Sequence, residues 1–272
     1  QLSLLAQEIL TPLTERSLHF ARIDASARME GRSLFAGLTL PKSQWTVPHV
    51  ETLDSGLIGS LAARGFDTIK IKCGTDYRRT LGKIEELFAS APSFPFRLRF
   101  DFNEMLDAPL FEDLLEHLSE WKDRVDFFED PIPFEPAVWG EWRERYGIRL
   151  ACDRQARAAL HFPASCDYLV VKPAIEPVEP FLTSSRSGRP LVITSYLDHP
   201  IGLLAAGYAA AKAYSRYPEA FSQCGLLTHH CYHATPFCEG MRELTPYLAA
   251  STRGTGWGYD QLLSSLPWEP LT

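Results

Sequence analysis

The feature that most narrows the fold is a run of short apolar segments, each of which closes on a charged residue. The segments Thr68 to Lys72, Arg97 to Phe102, Val125 to Glu129, Arg149 to Asp153 and Tyr168 to Lys172 are rich in β-branched and aromatic residues. They recur on the order of every 20 to 30 residues, with amphipathic stretches between, which is the rhythm of parallel strands joined by crossover helices. The same pattern predicts strands at Thr46 to Val50 and Leu191 to Ser195 and a shorter one at Leu226 to Thr228. Helices are expected near Ser17 to Gly31 and over Val50 to Arg64, Tyr77 to Ala89, Pro109 to Trp121 and Pro200 to Tyr214. No linker or low-complexity segment divides the chain, so the expectation is an α/β fold, a TIM-type (β/α)7β barrel over residues 17–240. Residues 241–272, with Pro246, Pro267, Pro270 and the Gly254, Gly256, Gly258 run, read as loop and short helix.

Composition removes other classes. A chain of 272 residues with 45% hydrophobic and 22% charged residues can bury a substantial core. Its net charge of -7 has the wrong sign for a protein that binds phosphate backbones, so no nucleic-acid partner is expected. Its apolar runs fall short of the roughly 18 to 20 residues that cross a bilayer, so no membrane partner is expected either. The six cysteines are scattered, which reads as reduced thiols in the cytoplasm rather than a disulfide framework. The chain starts at Gln1 with no signal-peptide pattern, and an upstream segment is expected to have been removed.

The charged strand ends carry the chemistry. In an α/β barrel the C-terminal ends of the strands face one mouth, so residues far apart in sequence converge there. Asp101, Glu129 and Asp153 on three consecutive strands would repel one another without a cation, and an all-oxygen donor set favours Mg²⁺, with Mn²⁺ as a substitute. Any single one of these carboxylates has a simpler reading as a helix cap or a solvated loop residue. In Thr68-Ile-Lys-Ile-Lys72, alternation puts Ile69 and Ile71 toward the helices and Lys70 and Lys72 toward the barrel interior. Two neighbouring ammonium groups beside a metal should each lose affinity for a proton, which would fit a lysine for work as a base. Lys172 ends a strand about halfway round the ring and would face Lys72 across the mouth.

The set Lys70-x-Lys72, Asp101-x-Asn103, Glu129-Asp130-Pro131, Asp153 and Lys172-Pro173 resembles the muconate-lactonising-enzyme subgroup of the enolase superfamily. Within it the chain is most similar to the o-succinylbenzoate synthases, through this core, Gly225-Leu-Leu-Thr228 and Gly256-Trp-Gly-Tyr-Asp260. The resemblance implies Asp101, Glu129 and Asp153 as Mg²⁺ ligands, Lys72 as general base and later acid, and Lys172 as stabiliser of an enediolate. It implies Lys70, Asn103, Ser195 and Asp198 as contacts to a small-molecule carboxylate. The implied reaction is dehydration of 2-succinyl-6-hydroxy-2,4-cyclohexadiene-1-carboxylate to o-succinylbenzoate in menaquinone biosynthesis. N-acylamino acid racemase or dipeptide epimerase activity is the alternative, and a metal-binding barrel without turnover is third.

Three departures from the family pattern stand out. Arg154 follows the third ligand where the family has an acidic residue, and Asp198 stands where Glu is more frequent. The family's N-terminal α/β capping domain is largely missing, so residues 1–16 read as its remnant or linker and residues 241–272 as a segment packing on barrel or cap. The stretch Cys224 to Cys238 contains His229 and His233 at helical zinc-ligand spacing, but it lacks a CxxC pair and is assigned to loop and core packing. Gly254-x-Gly256-x-Gly258 follows no strand and reads as turns rather than a nucleotide fingerprint. Neither Ser195 nor Cys73 has a base at motif spacing, so covalent catalysis is not expected.

Overall fold

The structure, a computed structural model, describes residues 4, 7, 9–90, 94–118, 122–186, 188–241 and 245–268. Seven parallel strands form one curled sheet in chain order: β1 Trp45–Val47, β2 Thr68–Lys72, β3 Arg97–Asp101, β4 Val125–Glu129, β5 Leu150–Cys152, β6 Tyr168–Val171 and β7 Leu191–Ile193. Among the described residues, helices α1 Pro12–Met29, α2 Ser55–Ala63, α3 Tyr77–Ser90, α4 Ala108–His117, α5 Pro136–Tyr146, α6 Ala156–Ala159, α7 Glu179–Arg186, α8 Pro200–Tyr214 and α9 Asp260–Ser264 lie before, between and after them. The register sets Lys72 beside Asp101 and Asp101 beside Glu129, so the charged strand ends stand level.

Strand alternation produces two apolar layers. Ile69, Ile71, Leu98, Phe100 and Phe128 face outward into the core shared with the helices. Phe127, Ala151, Val170 and Val192 form a small inner cluster against Tyr168. In the outer layer Phe111 lies edge-on to Phe102, Phe128 and Trp142, and truncating such a ring costs about 3–5 kcal/mol.

Caps explain where expected boundaries moved. Helix α1 starts five residues earlier than anticipated because Thr11 accepts the Thr14 backbone N–H and Pro12 opens the first turn. The single helix expected over Val50 to Arg64 is a 3-10 turn at Val50–Thr52 followed by α2, since the Asp54 carboxylate caps Leu57 N–H at 2.7 Å and restarts the chain there. Helix α4 is capped by Asp107 and ends at His117; the expected end at Trp121, like Pro270, lies outside the described residues.

The expected strand at Leu226 to Thr228 is not formed. Pairing occurs earlier, as isolated parallel bridges from Phe221 to Leu191 and from Gly225 to Thr194 on the β7 side, and from Cys224 to Ser43 on the β1 side. Gly225 permits this approach, because a Cβ there would lie 2.6 Å from Thr194 Oγ1. Below the inner cluster, the buried Arg99 guanidinium donates to Asp126 at 2.7 Å, Gln44 at 2.6 Å, Ser222 at 2.8 Å and the Gln223 carbonyl at 2.7 Å. It thereby ties both sheet edges to the middle strands. The glycine run forms turns, with φ of +83° at Gly254, +54° at Gly256 and +88° at Gly258. Asp24 and Arg28 of α1 hold those turns through Trp257 N–H and the Gly258 carbonyl. All six cysteines are free thiols, and no described helix is long and apolar enough to cross a membrane.

Candidate active site

Lys72, Asp101 and Glu129 are the last residues of β2, β3 and β4, while Asp153 and Lys172 immediately follow β5 and β6. A cavity of about 400 Å³ opens over these ends, lined among others by Lys70, Lys72, Asn103, Asp153, Lys172 and Ser195. Lys70 donates to Asp101 Oδ2 at 2.7 Å and to Glu129 Oε1 at 2.6 Å. Lys72 donates to the same Asp101 oxygen at 2.5 Å, and the other Asp101 oxygen accepts the Asn103 N–H at 3.2 Å. Lys172 pairs with Asp153 and lies 5.7 Å from the centre of the Tyr196 ring. The Ser195 and Thr228 hydroxyls share a 2.7 Å hydrogen bond.

Asp198 is the predicted contact that turns elsewhere. It lines a separate cavity of about 680 Å³ with Phe20, Ile201 and Trp257, and its carboxylate accepts the Tyr196 N–H at 2.9 Å. Arg154, which stands where the family has an acidic residue, points away from the ligand carboxylates. Its guanidinium is half exposed and reaches Glu104 at 3.4 Å instead of crowding the carboxylates.

The lowered proton affinity expected at Lys70 is corrected by these contacts. Burial lowers the proton affinity of Lys70, but Asp101, Glu129 and Asp153 outweigh it and hold the ammonium above its ordinary range. Lys172 is likewise raised, because Asp153 outweighs burial. Burial acts to raise Asp101, and Lys70 and Lys72 override it, holding the carboxyl well below the usual carboxylate range. Glu129 is pushed up to about 7 by burial and by Asp101. Its Oε1 carries Lys70, but its Oε2 is buried with no hydrogen-bond partner.

Sequence reasoning passed over Asp130 as an actor, although it named the Glu129-Asp130-Pro131 motif. Asp130 sits at φ +42°, and its carboxylate accepts the backbone N–H of Asp153 at 3.0 Å and of Arg154 at 2.9 Å. It therefore fixes the turn that aims Asp153. The Cys/His segment has no helical spacing: His229–Cys231 is one 3-10 turn followed by extended Tyr232, and His230 stacks on Trp45 at 3.6 Å.

The carboxylates suit a hard divalent cation in donor type, and the orphaned Glu129 Oε2 is a buried anionic oxygen that needs positive charge. They are not closed on one point. Asp101 and Glu129 share Lys70 while Asp153 faces Lys172, and among the described residues no three His, Cys, Asp or Glu side chains form a finished cage. A cation would replace lysine contacts rather than enter an existing cage.

A parallel α/β sheet whose successive strand ends present lysine, carboxylates and lysine round one polar cavity defines an enzyme of the enolase-superfamily type. No family model matches the chain. It is 31% identical to the o-succinylbenzoate synthase of Bdellovibrio bacteriovorus over 279 residues, covering 100% of this chain and 82% of that protein. The chain belongs to the o-succinylbenzoate synthase family and is an enzyme, a lyase of that kind. Solved structures with the same fold include a mandelate racemase/muconate lactonizing enzyme from Roseiflexus sp., with TM-score 0.72, 23% identity and 92% and 74% of the two chains covered. A dipeptide epimerase from Methylococcus capsulatus, complexed with Mg and the dipeptide L-Arg-D-Lys, gives TM-score 0.65 at 21% identity, with 89% and 70% covered.

Proposed function

We propose that the protein is a Mg²⁺-dependent dehydratase that converts 2-succinyl-6-hydroxy-2,4-cyclohexadiene-1-carboxylate to o-succinylbenzoate and water, in menaquinone biosynthesis in the cytoplasm. The observation that carries this reading is that Lys72 and Lys172, four strands apart, line one cavity with the carboxylates between them. Asp101, Glu129 and Asp153 would hold the metal. A bound Mg²⁺ would supply charge neutralisation for the substrate carboxylate as its α carbon loses a proton.

Lys72, released from Asp101 and uncharged, removes the proton α to the ring carboxylate. The electron pair forms the enediolate, whose charge the Lys172 ammonium faces. Collapse of that pair expels the ring hydroxyl, the Lys72 ammonium returns its proton to the leaving oxygen on the same face, and water departs as the ring becomes aromatic. Lys70 stays charged beside Asp101 and Glu129, and gives up direct contacts to them where the metal binds. Asn103 and Ser195 offer polar contacts at the cavity wall, and Asp198 acts from behind Tyr196.

The bridges of residues 221–225 to both sheet edges support a closed barrel over residues 17–240, and Trp257 is tied to α1 through its backbone hydrogen bond to Asp24. A second reading is epimerisation of an N-acylamino acid or dipeptide, because one lysine on each face of an α carbon would also exchange its proton, and the fold is shared with dipeptide epimerases. Incubation with the cyclohexadiene and, separately, with an N-succinylamino acid in deuterium oxide separates them by mass spectrometry. Formation of o-succinylbenzoate supports the dehydratase; deuterium incorporation and racemisation without any dehydration would overturn it in favour of the epimerase.

A further inference from the structure

The cations of the cavity wall differ in how firmly they are held. Lys70 and Lys72 contact carboxylates at 2.7 Å or closer, and Lys172 is paired with Asp153. Arg154 also lines the cavity, yet its side chain is 54% exposed and its ion pair with Glu104 spans 3.4 Å, a contact that contributes little at a solvated surface. Its backbone is the opposite. Asp130 accepts the Arg154 N–H at 2.9 Å and the neighbouring Asp153 N–H at 3.0 Å, so an exposed, loosely paired guanidinium sits on a fixed stem at the rim. A guanidinium presents a planar fork of donors that matches a carboxylate, and one that is only loosely paired loses little when it changes partner.

We propose that Arg154 is the specificity residue that recognises the second carboxylate of a dicarboxylate substrate, remote from the carbon handled by Lys72 and Lys172. The proposal rests on the dehydratase reading, whose substrate carries a ring carboxylate and a succinyl carboxylate. The ring carboxylate belongs with Lys72, Lys172 and the ligand carboxylates, and the succinyl end reaches the rim. Glu104 holds the guanidinium in place until a carboxylate displaces it. The basic residue that departs from the family pattern beside Asp153 therefore serves the ligand and not the metal.

Calorimetric titration of the full chain in Mg²⁺ buffer with o-succinylbenzoate and with 2-butyrylbenzoate, which has a methyl group in place of the terminal carboxylate, tests this. Arg154→Gln should weaken o-succinylbenzoate by about 10- to 100-fold and leave 2-butyrylbenzoate within about twofold, with Arg154→Lys between. Equal weakening of both compounds, or of neither, while wild type binds both, overturns the role of Arg154 and leaves the dehydratase reading standing. Failure of wild type to bind either compound overturns that reading and the proposal with it.

Discussion

The Lys70 ammonium donates to Glu129 Oε1 at 2.6 Å, in a place where both side chains are almost wholly removed from water. Removing one partner of such a pair leaves an uncompensated charge, at a cost of about 3–5 kcal/mol. Lys70→Met should therefore lower unfolding free energy by that amount in urea titrations with EDTA. Excess Mg²⁺ should restore part of the loss, because the exposed need for positive charge at Asp101 and Glu129 is the same one a cation meets.

Asp130 gives a second prediction. Asp130→Ala removes the acceptor of two backbone N–H groups and frees the turn that aims Asp153, whereas Asp130→Asn keeps one carbonyl oxygen and tolerates the positive φ. Mg²⁺ affinity measured by calorimetry should fall about 10- to 100-fold in the alanine variant and less in the asparagine variant. Equal affinities in all three proteins would show that the turn holds itself.

Acid sensitivity should come in part from His230. Burial lowers its pKa from 6.5 to about 4, where it stacks on Trp45 and donates Nε2–H to the Thr46 carbonyl at 2.8 Å. A buried neutral histidine contributes fully above its unfolded value, and the contribution is lost as pH falls from 6.5 toward about 4. The loss is on the order of 3 kcal/mol over that window. His230→Phe keeps the stack, and its urea midpoint should fall less steeply between pH 6.5 and pH 4.5 than that of wild type. Parallel slopes would place the sensitivity elsewhere.

Strand ends are legible because two patterns coincide there: the β-branched or aromatic runs that mark Thr68–Lys72 and Val125–Glu129, and the charged residue that closes each run. Alternation likewise placed Ile69 and Ile71 outward and both lysines inward. What stayed hidden depends on long-range neighbours. The raised proton affinity of Lys70 follows from carboxylates on β3 and β4, and the Arg99 cluster gathers Gln44, Asp126, Ser222 and Gln223 from three segments. The outward turn of Asp198 depends on its hydrogen bond to the Tyr196 backbone, and the bridges at 221, 224 and 225 depend on how closely Gly225 approaches Thr194. Neither leaves a periodic trace.

The most direct test of the central claim is turnover of the cyclohexadiene substrate, followed by ultraviolet absorbance, with Mg²⁺, with EDTA, and with Lys72→Ala and Lys172→Ala in Mg²⁺. Formation of o-succinylbenzoate should depend on the metal and fall by at least about a thousandfold in each lysine variant, since each removes a group that acts on the reacting carbon. Undiminished turnover in EDTA or in Lys72→Ala would contradict it.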